Sequence, residues 1–207
     1  MRLNLQTLSS LPAAVARPNA AVTGAGVGIV HLGIGAFHRA HQAWYTDRAM
    51  DAGDRDWGIT GVSLRSPDVA EQMNPQDGRY TVTERSAAGH RTRLVDSVRE
   101  VLVASQQRAG VLDALAGQST RIVSFTVTEK GYCRAADGSL DFALAGTDSL
   151  YALLGEALRR RLDGGLPGLT LLSCDNLADN GHQLERLMGE YLERHDPALR
   201  RWFEAEC

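Results

Sequence analysis

The chain has 207 residues, 43% of them hydrophobic and 23% charged, with 22 basic against 25 acidic side chains and a net charge of −3. That length carries one large domain, or one domain with appendages, and buries a core without staples. The composition excludes a disordered, collagen-like or coiled-coil chain. No apolar run approaches the ~20 residues of a membrane span, and there is no basic stripe of the kind a duplex-DNA binder carries, so neither a membrane nor a nucleic-acid partner is expected. Lys130 is the only lysine; every other basic residue is Arg. Cys133, Cys174 and Cys207 are odd in number and far apart, which gives neither a disulfide framework nor zinc spacing. No metal site is expected. The first residues lack the apolar core of a signal peptide, and a reducing cytoplasm is the expected compartment.

In chain order, residues 1–27 read as an N-terminal arm or short helix broken by Pro12 and Pro18, ending in a flexible loop at Gly24-Ala25-Gly26-Val27-Gly28. Ile29-Val30-His31-Leu32-Gly33 is a short apolar run suited to a buried parallel strand, with His31 a satisfied core histidine. From His38 to about Ala52 the pattern is helical, with Ala40, Ala43, Trp44 and Met50 on one stripe and Gly53 closing it. Residues 58–64 are a second strand, after which Pro67 and Asp68 open a helix. Residues 79–86 and 91–104 read as two strands about an Ala87-Ala88-Gly89 turn, a hairpin inserted in an otherwise alternating pattern. A helix over 106–116, a strand over 121–127, a helix over 150–162 and a strand over 169–173 follow. Arg159-Arg160-Arg161 reads as a solvated helix end. Asn180 is expected to cap a helix to about Arg194, and Pro197 to begin another. Strands alternating with helices imply an α/β fold with a doubly wound, largely parallel sheet, whose ligand lies at the carboxyl ends of the strands.

Gly33-Ile34-Gly35-Ala36-Phe37-His38 lies between the first strand and the first helix, where dinucleotide-binding folds place their phosphate turn. The first glycine permits a tight turn, the second lets a pyrophosphate approach the backbone, and the helix start supplies amides. His38 stands where the fingerprint has its third glycine. Such folds also carry an acidic residue after the second strand to bind the adenosine ribose. Asp68 is the candidate, with simple helix capping as its other role; Arg65 leaves a 2′-phosphate, and so NADP, open.

Residues 30–42, from Val30 through Gly33-Ile34-Gly35-Ala36-Phe37-His38-Arg39-Ala40-His41-Gln42, resemble the N-terminal signature of the long-chain polyol dehydrogenases. This is the mannitol 2-dehydrogenase, fructuronate reductase and tagaturonate reductase family. Gly61-Val62-Ser63-Leu64-Arg65-Ser66, Thr126-Val127-Thr128-Glu129-Lys130-Gly131-Tyr132-Cys133 and Ser173-Cys174-Asp175-Asn176-Leu177-Ala178-Asp179-Asn180-Gly181 match in order. The resemblance implies a Rossmann-like cofactor domain, NAD as cofactor and a polyol or hexuronate as substrate. It makes His38 normal at its position.

The resemblance also implies that Asn176 stabilises the oxyanion that develops in carbonyl reduction, against the plainer reading of a loop Asn bonding its own backbone. Glu129 relays protons or positions substrate hydroxyls, or is merely a partner of Lys130 or a surface carboxylate. Gly33, Gly35, Ala36, Phe37, His38, Arg65 and Asp68 make up the expected cofactor site. Cys133 and Cys174 are expected to be buried and structural. The family's catalytic base is a lysine in a C-terminal domain, and that role is not transferred to Lys130. The expected organisation is therefore an arm over 1–27, a dinucleotide-binding domain over 28–180, and a helical segment over 181–207 leading to a catalytic domain that this chain lacks. Such a chain is expected to be inactive alone. A non-catalytic nucleotide-binding module and an S-adenosylmethionine-dependent methyltransferase-like domain are the alternatives.

Overall fold

The computed structural model describes residues 2–18 and 26–207. The chain divides into two compact units, Met1–Arg108 and Ala109–Cys207.

In the first unit three strands form a parallel ladder. β1 (Val27–Leu32) pairs with β2 (Gly58–Ser63), and β2 pairs on its other side with β5 (Val98–Val103). These strands are near-continuous apolar runs because both faces of a parallel sheet are covered. Val30, Leu32, Val62 and Val98 are fully buried. The strands pack with Ala43 of α2 (Gln42–Asp51) and with Ala70 and Met73 of α3 (Asp68–Met73) in one apolar core. β1 starts at Val27, so the expected glycine loop is in part strand; Gly24 and Ala25 lie outside the described residues. The arm forms a short 3-10 helix over Leu5–Ser10, capped by Asn4, and then docks: Ala16 exchanges backbone bonds with Thr92 and Leu94.

Two expectations are corrected here. The helix read from His38 is two helices, α1 (Ala36–Ala40) and α2, interrupted at His41 (φ −117°, ψ −81°). Ala40 is exposed, and the inner face of α2 carries Asp47 instead. The strand read over 91–104 is also two. β3 (Tyr80–Ser86) and β4 (Gly89–Val95) make the antiparallel hairpin, and β5 belongs to the parallel ladder. Helix α2 causes the break. Asp47 accepts the Asp96 amide at 2.8 Å, and the Ser97 hydroxyl donates to the Ala43 carbonyl at 2.7 Å. Both residues are thereby held to α2 rather than to β3.

Asp47 anchors a buried charge network. Arg93 of β4 bridges Asp47 at 3.1 Å and Asp51 at 3.0 Å, while Asp96 pairs with Arg79 at 3.0 Å and Arg99 at 3.6 Å. Burial pushes the Asp47 and Asp96 carboxyls upward, and the arginines oppose that shift.

In the second unit β6 (Ile122–Phe125) and β7 (Thr170–Ser173) pair in parallel, Phe125 opposite Ser173. Around them lie α4 (Arg108–Ala116), α5 (Leu150–Asp163), α6 (Asn180–His195) and α7 (Pro197–Glu206). Ser149 caps α5 and Asp196 caps α7, which begins at Pro197, a residue whose missing N–H costs nothing there. Asp196 also pairs with Arg159 of α5. The arginine triplet is not wholly solvated. Arg159 and Arg160 make partly exposed ion pairs, but Arg161 is fully buried and donates to the carbonyls of Pro167 at 2.9 Å and Gly117 at 2.7 Å. Asn180 is the first residue of α6 rather than its cap, a position held by Asp179.

Asp47→Ala is expected to lower unfolding free energy by about 1–3 kcal/mol, because it leaves the Asp96 amide unpaired in the interior and takes from Arg93 one of its two carboxylates, Asp51 remaining. Urea denaturation measures this; a loss below ~1 kcal/mol would show that the network is relaxed by water.

Candidate functional site

The turn after β1 is fixed by one carbonyl. Val62 O accepts the N–H groups of Gly33 at 2.8 Å and Ile34 at 3.2 Å, and Gly35 N–H bonds back to Gly33 O. Gly33 sits at φ +95°, a conformation that glycine alone adopts without strain. Ile34 is driven into the core over β2. A Cβ on Gly61 would lie 2.2 Å from Ile34 Cδ1, so the glycine of the Gly61-Val62-Ser63 block makes room for it. Gly35 is different. Its backbone is extended (φ −82°, ψ −175°), and a Cβ there would meet only Gly33 O, at 3.8 Å. Nothing in the chain itself requires glycine at 35, and the space before it is open. Gly35 also begins α1 without any side-chain cap on the helix amides. Ala36 and Phe37 are exposed beside it, and Phe37 stacks on His41 at 5.2 Å.

Beneath the turn, the rings of His31 and His38 stack at 3.6 Å with an interplanar angle of 16°, both buried. Burial lowers the His31 pKa to about 3, opposed by its bond to the Gly33 backbone. Burial, then the neighbouring His31 and Arg39, lowers that of His38 to about 2. Both rings are neutral. His31 is the core histidine expected, and His38 Nδ1 is buried without a hydrogen-bond partner.

After β2 the chain turns on Ser63, whose hydroxyl donates to Ser66 O and whose carbonyl accepts Ala104 N–H. Ser105 holds the Arg65 carbonyl at 3.1 Å. Pro67 occupies the cap position of α3, and Asp68 is its first helical residue, with its own N–H bonded to Ser66 Oγ. The side chains of Arg65 and Asp68 are exposed and make no ion pair or hydrogen bond among the described residues, so capping does not occupy Asp68.

In the second unit the two remaining signature blocks are laced together by Asp175. Its Oδ2 accepts Val127 N–H at 3.0 Å, its Oδ1 accepts Thr128 N–H at 2.9 Å, and the Tyr132 hydroxyl donates to Oδ2 at 3.1 Å. Tyr132 is buried, also bonds Ser173 Oγ, and has its pKa pushed up to about 12 by burial. Asn180 Nδ2 donates to the carbonyls of Ser173 and Asp175. These bonds explain why β6 ends at Phe125 and not at Val127.

Thr128 stands at φ +67°, ψ +164°, a region all but reserved for glycine, at a cost of order 1–3 kcal/mol. The turn that follows is tight. A Cβ on Gly131 would lie 2.8 Å from the Val127 side chain. Glu129 and Asn176 emerge from this frame exposed and without partners. Glu129 is not paired with Lys130, and Asn176 does not bond its own backbone. Cys133 is buried with its thiol pushed upward by burial, so it is no activated nucleophile; Cys174 is half-buried rather than fully so.

The site residues missed from sequence are Asp175, Tyr132 and the strained Thr128. The adjacency of an Asp to the candidate Asn was visible; the two amides it binds, 47 and 48 residues away, were not. Among the described residues no cluster of His, Cys, Asp or Glu is placed to hold a metal, and no helix is long and apolar enough to cross a membrane.

A parallel strand, a glycine turn bonded to the neighbouring strand and polar residues after the strand ends are the architecture of an α/β domain of the Rossmann type. The chain belongs to the mannitol dehydrogenase family, the model of whose Rossmann domain matches residues 27–207. It is 40% identical to D-mannonate oxidoreductase of Escherichia coli (strain K12), over 95% of this chain and 43% of that protein. It is 37% identical to the polyol:NADP oxidoreductase of Gluconobacter oxydans (strain 621H), over 96% of this chain and 44% of that one. The crystallised mannitol 2-dehydrogenase of Pseudomonas fluorescens, a ternary complex with NAD and D-mannitol, superposes with a TM-score of 0.91 at 34% identity, over 100% of this chain and 45% of that one. The chain thus spans under half the length of these relatives. The fold class and the family expected from the four blocks are borne out.

The histidine pair makes stability depend on pH. In the unfolded chain each His takes up a proton below pH 6.5, whereas in the fold each stays neutral down to about pH 3 or lower. The contribution is therefore full above pH 6.5 and falls as pH drops from 6.5 towards 3. Thermal melts from pH 8 to 4.5 are expected to show this fall, and a His31→Asn/His38→Asn variant a shallower one. Identical slopes in the two proteins would refute the assignment.

Proposed function

We propose that this chain binds NAD and serves the hydride-transfer chemistry of an oxidoreductase that interconverts a polyol or aldonate with a ketose or hexuronate. The observation that carries the reading is the open space at Gly35. The chain bends sharply at Gly33, leaves the amides of α1 uncapped and keeps a Cβ out of a place where no protein atom needs the room. A pyrophosphate needs that combination. The unpartnered Nδ1 of buried His38 lies in the same segment and supports it.

Gly33, Gly35, Ala36, Phe37 and His38 would hold the pyrophosphate side of the cofactor. Asp68 would accept the ribose hydroxyls, and Arg65, equally free, offers a cation to a 2′-phosphate. The bound nicotinamide supplies the site that accepts or delivers hydride. Asn176 donates a hydrogen bond to the substrate oxygen as charge builds on it, without a titration of its own. Glu129 orients substrate hydroxyls or passes a proton to solvent. Lys130 is exposed and carries no assigned role as a base.

Four measurements test this. NADH fluorescence titration is expected to show saturable binding and S-adenosylmethionine none; the reverse would make the chain a methyltransferase-like domain. Gly35→Val is expected to weaken NADH binding at least about tenfold, or ~1.4 kcal/mol, with an unchanged melting temperature because the new side chain meets only open space. Unchanged affinity would remove the turn from the site. Asp68→Ala is expected to shift preference towards NADPH and Arg65→Ala towards NADH, read as the ratio of dissociation constants. The 207-residue polypeptide is expected to bind cofactor without measurable oxidation of mannitol or reduction of fructose or fructuronate.

A further inference from the structure

We propose that Asp175 is a positioning residue that sets Glu129 and Asn176 in one frame by holding Thr128 in its strained conformation. The inference rests on the reading of these two residues as substrate-facing groups.

The carboxylate is used completely. One oxygen takes the Thr128 amide, and the other takes the Val127 amide and the Tyr132 hydroxyl. Asp175 holds the Val127 and Thr128 amides and Gly131 N–H holds the Thr128 carbonyl, so the peptide planes on both sides of the Thr128 Cα are fixed and the bend falls on Thr128 at φ +67°. A β-branched residue does not rest there unless its surroundings over-determine it. Here three neighbours do so. Asp175 fixes both amides, Gly131 N–H returns to Thr128 O at 2.9 Å, and the Val127 side chain presses so closely on Gly131 that no side chain fits.

From this bend the backbone leaves β6 sideways, and Glu129 stands exposed one residue later. Asn176 follows Asp175 directly, so the group that bends one segment is covalently part of the other. Asp175 itself is anchored through its carbonyl by Asn180. Displacing the carboxylate therefore moves Glu129 relative to Asn176, although Asp175 need not touch a substrate. Strain stored next to two unpartnered polar residues is the arrangement expected where a site is preorganised rather than merely folded.

The test is a double-mutant cycle with Asp175→Asn and Thr128→Gly in the 207-residue chain. Three quantities are read. They are amide exchange at Val127 and Thr128 by NMR, NADH affinity, and the shift of the Asn176 side-chain amide when D-mannitol or D-mannonate is added with NAD. Asp175→Asn presents an N–H group where an acceptor is needed. It is expected to speed exchange at both amides about tenfold or more and to weaken the sugar response by a similar factor. NADH affinity should stay within about twofold, as for sites without shared partners.

Thr128→Gly takes up the bend without strain. In the Asp175→Asn background it is expected to restore most of the sugar response, although the carboxylate is still missing. A purely structural aspartate would not be rescued in that way. Unchanged exchange in Asp175→Asn, or a sugar response that the glycine does not restore, overturns the positioning role. A wild-type chain that binds no NADH, or binds it with no response to either sugar, overturns the proposed function itself.

Discussion

A parallel strand ends with amides and carbonyls that no ladder neighbour satisfies, and at the carboxyl ends of β1, β2 and β6 the bonds that close the strand also shape the candidate site. Val62 O, at the end of β2, takes the two amides that bend the chain at Gly33. Ser63 O takes Ala104 N–H where β5 runs out. In the second unit Phe125 O takes Cys174 N–H, and Asp175 takes the two amides beyond Phe125. Buried backbone groups must be paired, so a chain that leaves a parallel ladder has to turn where partners exist. Except for Ala104, the residues named at these turns lie in or beside the four blocks that carry the family resemblance.

The same economy separates the charges. Those that hold the fold are buried and paired, as in the Asp47, Arg93 and Asp96 network or in Arg161 between two carbonyls. Those proposed to meet ligand are exposed and unpaired, as with Arg65, Asp68 and Glu129. A charge that already has a buried partner cannot exchange it for a ligand without a large desolvation penalty, whereas an exposed one gives up only water. His31 and His38, buried in the glycine block, carry no charge and fall in neither class. Stacked and neutral, they form the floor of the turn and stand apart from acid–base chemistry.

The strands and long helices were legible in the sequence because their signals are local: apolar runs for β1, β2 and β6, and Pro67, Pro197 and Gly53 as punctuation. The failures have a common physical origin. The long strand over 91–104 splits because Asp96 and Ser97 are held by a helix some 50 residues earlier, a contact that periodicity cannot register. The helix read from His38 starts sooner, at Ala36, and is interrupted at His41, beside the Arg39 carbonyl that the Tyr80 hydroxyl takes at 2.6 Å. Arg161 looks like its two neighbours in the sequence, and only the loops that fold over it decide that it is buried. At the site, Gly33, Gly35 and Asp68 were readable as types in context. Tyr132 and Asp175 were not, because their role lies in the amides they meet.

Glycine itself divides along this line. Gly33 and Gly61 are demanded by the protein, one by its backbone conformation and the other by the Ile34 side chain that fills its place. Gly131 is demanded by Val127. Gly35 alone in this set is demanded by nothing that the chain contains. A glycine that neither its backbone angles nor its neighbours require weakens the local structure by the entropy it adds to the unfolded state. An atom outside the chain must then approach within the radius of a methyl group for the glycine to be of use. A dinucleotide phosphate on the backbone of residues 33–36 meets that requirement, which is why the space at Gly35 weighs more in the functional reading than the count of glycines in the block.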